Sequence, residues 1–185
     1  MAALRARLAS GNASKLEELQ AALPDWELAF LETAEPYPSE DGATYYENAG
    51  GKAAFAREIA PPGEWVLGDD SGIEVAALGG GPGIASARWA GDGVAQLLAE
   101  LEGVEDRRAR YVCELVALGP DGEKRRGTGI LEGAIATGRR GEEGFGYDPV
   151  FVPDGETRTV AELGNVWKRK HSHRARAAAA ALNAK

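Results

Sequence analysis

The feature that most constrains this chain is a run of four residues, Asp69-Asp70-Ser71-Gly72, set inside an apolar stretch. Glu64-Trp65-Val66-Leu67-Gly68 comes before it and reads as a strand, and Ile73-Glu74-Val75 resumes the apolar/polar alternation after it. Strands disfavour Asp and Gly, and neighbouring aspartates repel one another. The pattern therefore puts two carboxylates at a strand end. A hard cation such as Mg²⁺ would offset their repulsion by binding carboxylate oxygens directly. The same four residues also suit a polar turn joining two strands.

The elements around this stretch follow from local signals. Residues 4–8 alternate apolar and basic side chains and lead into the polar loop Ala9-Ser10-Gly11-Asn12. Ser14 and Glu17 have capping-box spacing, so a helix is expected from Ser14, with Leu16, Leu19, Gln20 and Leu23 on one face and Pro24 as its stop. Backbone N–H groups at a helix start suit phosphate, and Lys15 would add charge there; a plain connecting loop with an exposed lysine is the competing reading. Residues 26–30 predict a second strand, and a loop rich in Pro, Glu and Ser follows. Thr44 and Glu47 form another capping box, opening a helix that runs to Ile59 and ends at Pro61-Pro62-Gly63. Within it, Gly50-Gly51 disfavours helix by about 1 kcal/mol per glycine, so either a kink or close packing is expected there.

Farther on, Gly79-Gly80-Gly81-Pro82-Gly83 has the glycines of a dinucleotide loop. Pro82 interrupts the run and no helix follows directly, so a flexible loop is expected instead. A short amphipathic helix is predicted over 94–101, and a long hairpin over 108–136 turns at Pro120-Asp121-Gly122. Gly144-Phe145-Gly146-Tyr147-Asp148-Pro149 breaks the strand pattern. Its two rings could stack on a nucleobase or fill a hairpin corner of the core. Lys168-Arg169-Lys170-His171-Ser172-His173-Arg174-Ala175-Arg176 holds both histidines and is expected in the first turn of a helix over 172–184. Positive charge there opposes the helix dipole and invites an anion; a solvated basic face is the alternative.

Composition narrows the classes. The 185 residues are enough for one compact domain, expected over 1–185. A net charge of −8 argues against a general nucleic-acid binder or an anionic-membrane binder, and no apolar stretch is long enough to span a bilayer. Cys113 is the one cysteine, which excludes an internal disulfide and points to a reducing cytoplasm. Carboxylates for a metal, basic groups for phosphate and rings for a base together describe a nucleoside triphosphate site.

Six motifs in sequence carry a resemblance. Ser10-Gly11-Asn12-x-x-Lys15, Glu40-x-Gly42-x-Thr44-x-x-Glu47-Asn48-Ala49-x-x-Lys52-Ala53, Asp69-Asp70-Ser71-Gly72, Pro82-Gly83-Ile84-x-Ser86-Ala87-Arg88, Gly144-Phe145-Gly146-Tyr147-Asp148-Pro149 and Ser172-His173-Arg174 together resemble the inosine/xanthosine triphosphate pyrophosphatase (Ham1-like) family. The resemblance implies an α/β fold: a long, curved mixed sheet flanked by helices, with two lobes and a central active-site cleft, in a homodimer. It implies cleavage of ITP, dITP or XTP to the nucleoside monophosphate and pyrophosphate. Ser10, Gly11, Asn12, Ala13, Ser14 and Lys15 would hold the triphosphate, and Glu40 and Asp70 would ligate Mg²⁺. Asp70 would activate water with Asp69 in support, Lys52 would lie near the phosphates, and Ser71 would touch substrate. Phe145, Gly146, Tyr147 and Asp148 would hold the base, Lys168 would contact substrate, and His173 and Arg174 would read the purine 6-oxo edge. The chain departs from the family pattern at Arg5 and Arg7, at Gly50-Gly51, and over 164–171, where the family is more acidic.

Overall fold

The computed structural model describes residues 3–182, so the expected helix end at Ala184 lies outside the described residues. The elements run β1 (Leu4–Leu8), α1 (Ala13–Ala22), β2 (Trp26–Phe30), α2 (Tyr45–Ile59), β3 (Trp65–Val75), α3 (Gly93–Glu100), β4 (Arg108–Leu118), β5 (Lys124–Ile135), β6 (Phe151–Pro153), α4 (Val160–His171) and α5 (His173–Leu182). One six-stranded sheet has the order β2-β1-β3-β4-β5-β6. It is mixed, because β1 runs parallel to both β2 and β3 while β5 and β6 are antiparallel. The class is α/β, as expected. The chain forms two compact units, and their boundaries fall within β3, β4 and β5 and after the first residue of α5.

The first unit holds residues up to 70, 113–129 and from 174 onward. Its core joins Ala6, Leu8, Leu19, Leu23, Trp26, Trp65, Leu67 and Leu115 to Ala177, Ala178 and Ala181 of the alanine-rich α5. The arginines of β1 have cross-strand reasons. Arg5 lies opposite Glu27 in register and bonds it at 3.0 Å, and Arg7 bonds Glu64 at 2.6 Å. Two local expectations are corrected here. Asn12 caps α1, not Ser14, because its side chain already accepts the N–H groups of Ser14 and Lys15. The Gly50-Gly51 helix is neither kinked nor closely packed, since a Cβ at either position would meet nothing within 4 Å. The close contact is at Gly68, where a Cβ would lie 2.1 Å from the Ala49 carbonyl oxygen, so α2 rests backbone to backbone on β3.

The second unit holds residues 71–112 and 130–173. Its core gathers Ile73, Val75, Val94, Leu97, Leu101, Tyr111, Leu131, Ile135, Val150 and Phe151. The glycine loop after β3 is pinned, contrary to the flexible loop expected. Ser86 Oγ accepts from the Ile73 N–H at 2.9 Å and donates to the Gly83 carbonyl, and Gly72 admits that carbonyl because a Cβ there would sit 2.1 Å away. The placement of the basic run is also corrected. Lys168 to His171 form the last turn of α4, whose capping box at Thr159 and Glu162 went unread in the sequence. Positive charge at a helix C-terminus suits the dipole, so this part of the run has no electrostatic conflict for an anion to relieve.

Candidate active site

Asp69 and Asp70 do not end a strand. They sit in the middle of β3, both buried. Successive strand residues face opposite sides of a sheet, so the two carboxylates enter different environments.

Asp69 is locked. Lys15, from the first turn of α1, donates to its Oδ1 at 2.8 Å, and Arg174, from the first turn of α5, donates Nε to its Oδ2 at 2.8 Å. Arg174 is fully buried and also bonds Glu18 of α1 at 3.1 Å. Burial alone would raise the Asp69 pKa, but the charges of Lys15, Arg174 and Lys52 outweigh it and hold the carboxyl well below the usual range. Asp69 is a fixed anion. The Cys113 thiol lies 3.8 Å from its Oδ2, and burial pushes that thiol up, so it stays protonated and unreactive.

Asp70 is held differently. The amide of Asn48 in α2 donates to its Oδ2 at 2.9 Å and accepts the Gly42 N–H at 2.8 Å. One side chain thereby ties Asp70 to the loop that carries Glu40. Lys52 Nζ lies 2.5 Å from Glu40 Oε1 and 3.5 Å from Asp70 Oδ1. Burial raises the Asp70 pKa and the Lys52 charge only partly offsets it, which moves the carboxylate toward the range of a general base. Burial lowers the Lys52 pKa, but Asp69, Glu40 and Asp70 together raise it, so it remains a cation.

These distances also test whether a metal fits. Among the described residues no three His, Cys, Asp or Glu side chains group around one point. Glu40 and Asp70 nevertheless both reach a single cation, the Lys52 ammonium, and an all-oxygen pair is what Mg²⁺ takes from a protein when phosphate and water complete its shell. The donor set fits.

A second group lies in the second unit. Asp148 is buried and accepts from Lys168 Nζ at 2.6 Å, the Phe145 N–H at 2.8 Å and the Tyr111 hydroxyl at 3.2 Å. Lys168 Nζ also stands 3.8 Å over the Phe145 ring. His173 stacks on Tyr111 with centroids 4.6 Å apart. The two rings of the Gly144–Pro149 stretch divide. Tyr147 is buried and donates its hydroxyl to the Ser86 carbonyl at 3.0 Å, whereas Phe145 is half-buried under the ammonium.

The expected residues thus form three sets: Lys15, Asp69 and Arg174; Glu40, Lys52 and Asp70; and Phe145, Asp148, Lys168 and His173. Ser10, Gly11, Asn12, Ala13 and Ser14 make the turn into α1, where Ser10 Oγ accepts the Asn12 N–H, and Ser71 continues β3 half-buried. Gly146 is exposed at a positive φ of 60°. Glu18, Asn48 and Tyr111 join these sets without a sequence signal of their own: Asn48 lies between Glu47 and Lys52 in the α2 motif, Glu18 has the pattern of a helix-surface glutamate, and Tyr111 that of a core strand residue.

The model of the Ham1 family matches residues 6–184. The chain belongs to the Ham1 family. It is 46% identical over 180 residues to the dITP/XTP pyrophosphatase of Deinococcus deserti, covering 94% of this chain and 85% of that one. It is 42% identical over 188 residues to the dITP/XTP pyrophosphatase of Thermus thermophilus, covering 96% and 89%. The Ham1 proteins of Staphylococcus aureus and Coxiella burnetii have solved structures that superpose with a TM-score of 0.81 each, at 37% identity. The first covers 94% of this chain and 93% of its own, and the second 95% and 94%.

Proposed function

We propose that this Ham1-family protein hydrolyses non-standard purine nucleoside triphosphates, ITP, dITP and XTP, to the nucleoside monophosphate and pyrophosphate. In a cell this keeps deaminated purines out of DNA and RNA. The observation that carries the reading is the group of buried Lys52 and Asp70 with half-buried Glu40, beside a locked Asp69. Its pairing of carboxylates with an ammonium suits phosphate chemistry.

In this reading Asp70 accepts a proton from water, and the water oxygen forms the new bond to the α-phosphorus. The bond from that phosphorus to its bridging oxygen breaks, and pyrophosphate leaves with the electron pair. Asp69, kept ionised by Lys15 and Arg174, does not take the proton; it fixes those two cations in place. Lys15, with the backbone of residues 10–15, offers positive charge to the triphosphate, as does Lys52. Glu40 and Asp70 would hold Mg²⁺, which when bound supplies neutralising charge to phosphate oxygens. The Phe145–Asp148–Lys168 group takes the base, with Phe145 as stacking surface. Hypoxanthine and xanthine carry an acceptor at C6 where adenine carries an amine, so N–H donors from His173 and Lys168 favour them, while Arg174 stays on Asp69 and Glu18. A polar site left unmatched discriminates strongly.

The reading includes a homodimer acting in the cytoplasm, which light scattering and cell fractionation address. The deciding experiment is a panel of ITP, dITP, XTP, ATP, GTP and pyrimidine triphosphates, with and without Mg²⁺, assayed for both phosphate and pyrophosphate. Pyrophosphate from ITP, dITP or XTP with Mg²⁺ supports the reading. Binding without turnover identifies a nucleotide sensor instead, and release of phosphate removes the assigned cleavage site.

A further inference from the structure

Helix α4 is not continuous. Gly164 has φ 82° and ψ 172°, a conformation that side chains rarely adopt, so a second helical segment starts at Asn165. That segment needs its own cap, and glycine has no side chain to give one. The structure supplies the cap from elsewhere in the second unit. Glu143, in the loop between β5 and β6, accepts the Asn165 N–H through Oε2 at 2.9 Å. Its carboxylate also covers Gly164, where a Cβ would lie 3.0 Å from Oε1. A carboxylate is the right group at a helix start, because it meets both the open N–H and the positive dipole end.

The loop and the helix are tied at further points. Thr159 Oγ1 donates to the Arg140 carbonyl at 2.7 Å, and the Ala161 N–H donates to the Asp148 carbonyl at 3.1 Å. Beyond the break, Lys168 reaches Asp148 Oδ2 at 2.6 Å and covers the Phe145 ring. Lys168 lies three residues after Asn165, on the same face and within the first turn of the capped segment. The phase of that turn therefore sets where the ammonium stands.

We propose that Glu143 is a positioning residue for nucleobase recognition: by capping the segment that starts at Gly164-Asn165, it sets Lys168 against Asp148 and Phe145. This rests on the reading that the Asp148–Lys168 group takes the base. Glu143 touches no substrate in this scheme; it acts through Lys168.

The test is steady-state kinetics on ITP with full-length Glu143→Ala, Glu143→Gln and Lys168→Met, with inhibition by inorganic triphosphate, which has no base, measured alongside. Glu143→Ala is expected to raise KM for ITP about fivefold, the equivalent of losing one cap, with kcat nearly unchanged. Glu143→Gln, which keeps an acceptor oxygen, should recover most of that loss, and the inhibition constant of triphosphate should not move. A Glu143→Ala KM within twofold of wild type, beside a raised KM in Lys168→Met, overturns the positioning role alone. A parallel rise in the triphosphate constant overturns it too, since the defect is then not confined to the base. If Lys168→Met leaves KM unchanged, the base assignment of that group falls, and the role of Glu143 with it.

Discussion

Replacing Gly50 and Gly51 by alanine should stabilise the protein, although both lie in a helix that borders the candidate site. Both have helical backbone in α2, neither has a positive φ, and a Cβ at either would meet nothing within 4 Å. No clash or strain therefore offsets the gain. An interior glycine disfavours helix by about 0.5–1 kcal/mol relative to alanine, mainly because the unfolded chain has more freedom to lose. The double variant should gain about 1–2 kcal/mol, which for a domain of this size raises Tm by about 2–8 °C. Gly68, in the strand beneath that helix, gives the opposite sign. Its Cβ would lie 2.1 Å from the Ala49 carbonyl oxygen and 2.6 Å from the Ala53 nitrogen, both backbone atoms, so Gly68→Ala must push α2 off β3. Thermal melts by circular dichroism at several protein concentrations, with pyrophosphate release as the check on function, decide the matter. A lower Tm for Gly50→Ala or Gly51→Ala would refute the open-helix account. If that loss grew with protein concentration, the glycines would be placed under a second copy of the chain.

Three further outcomes follow from the buried charges. Arg174→Met should destabilise by about 3–5 kcal/mol, because it removes the cation shared by two buried carboxylates, Asp69 and Glu18; urea unfolding measures this, and a change below 1 kcal/mol, about the value of an exposed pair, contradicts the network. Asp69 has a folded pKa below its unfolded value, so its contribution is present above about pH 4 and is lost as pH falls from there. Between about pH 4 and pH 2 the wild-type urea midpoint should fall more steeply than that of Asp69→Asn, and equal slopes would remove the ion pairs from the account. Asp70→Asn should cut pyrophosphate release by about 10²–10⁴-fold with the far-ultraviolet spectrum intact, and full activity would take Asp70 out of the proton transfer.

Much of the fold was legible because its signals are local. The alternation at residues 4–8 and 26–30, the Thr44/Glu47 capping box, the stop at Pro61-Pro62 and the turn at Pro120-Asp121-Gly122 each specify their element within a few residues. α4 was missed for an equally local reason: Gly164 interrupts its period, and the basic run beyond it was assigned whole to the next helix. The candidate site was legible in its residue types and less so in its pairings. Arg174, expected to meet substrate, spends its Nε and one terminal nitrogen on Asp69 and Glu18, a partner 156 residues away.

The Asp69-Asp70 pair shows why such pairings escape a local reading. By strand propensity two aspartates followed by serine and glycine should end β3, yet the strand runs through them for 11 residues. What compensates comes from distant parts of the chain: Lys15 from α1, Asn48 and Lys52 from α2, and Arg174 from α5. Gly68 serves the same end, since it lets the backbone of α2 touch the strand and so brings Asn48 and Lys52 within reach of Asp70. A carboxylate pair that breaks a local rule must be held by charges whose own places depend on the finished fold. The division of labour follows from that arrangement: the aspartate held by two cations stays ionised, and its neighbour, buried and only partly neutralised, is left able to take a proton.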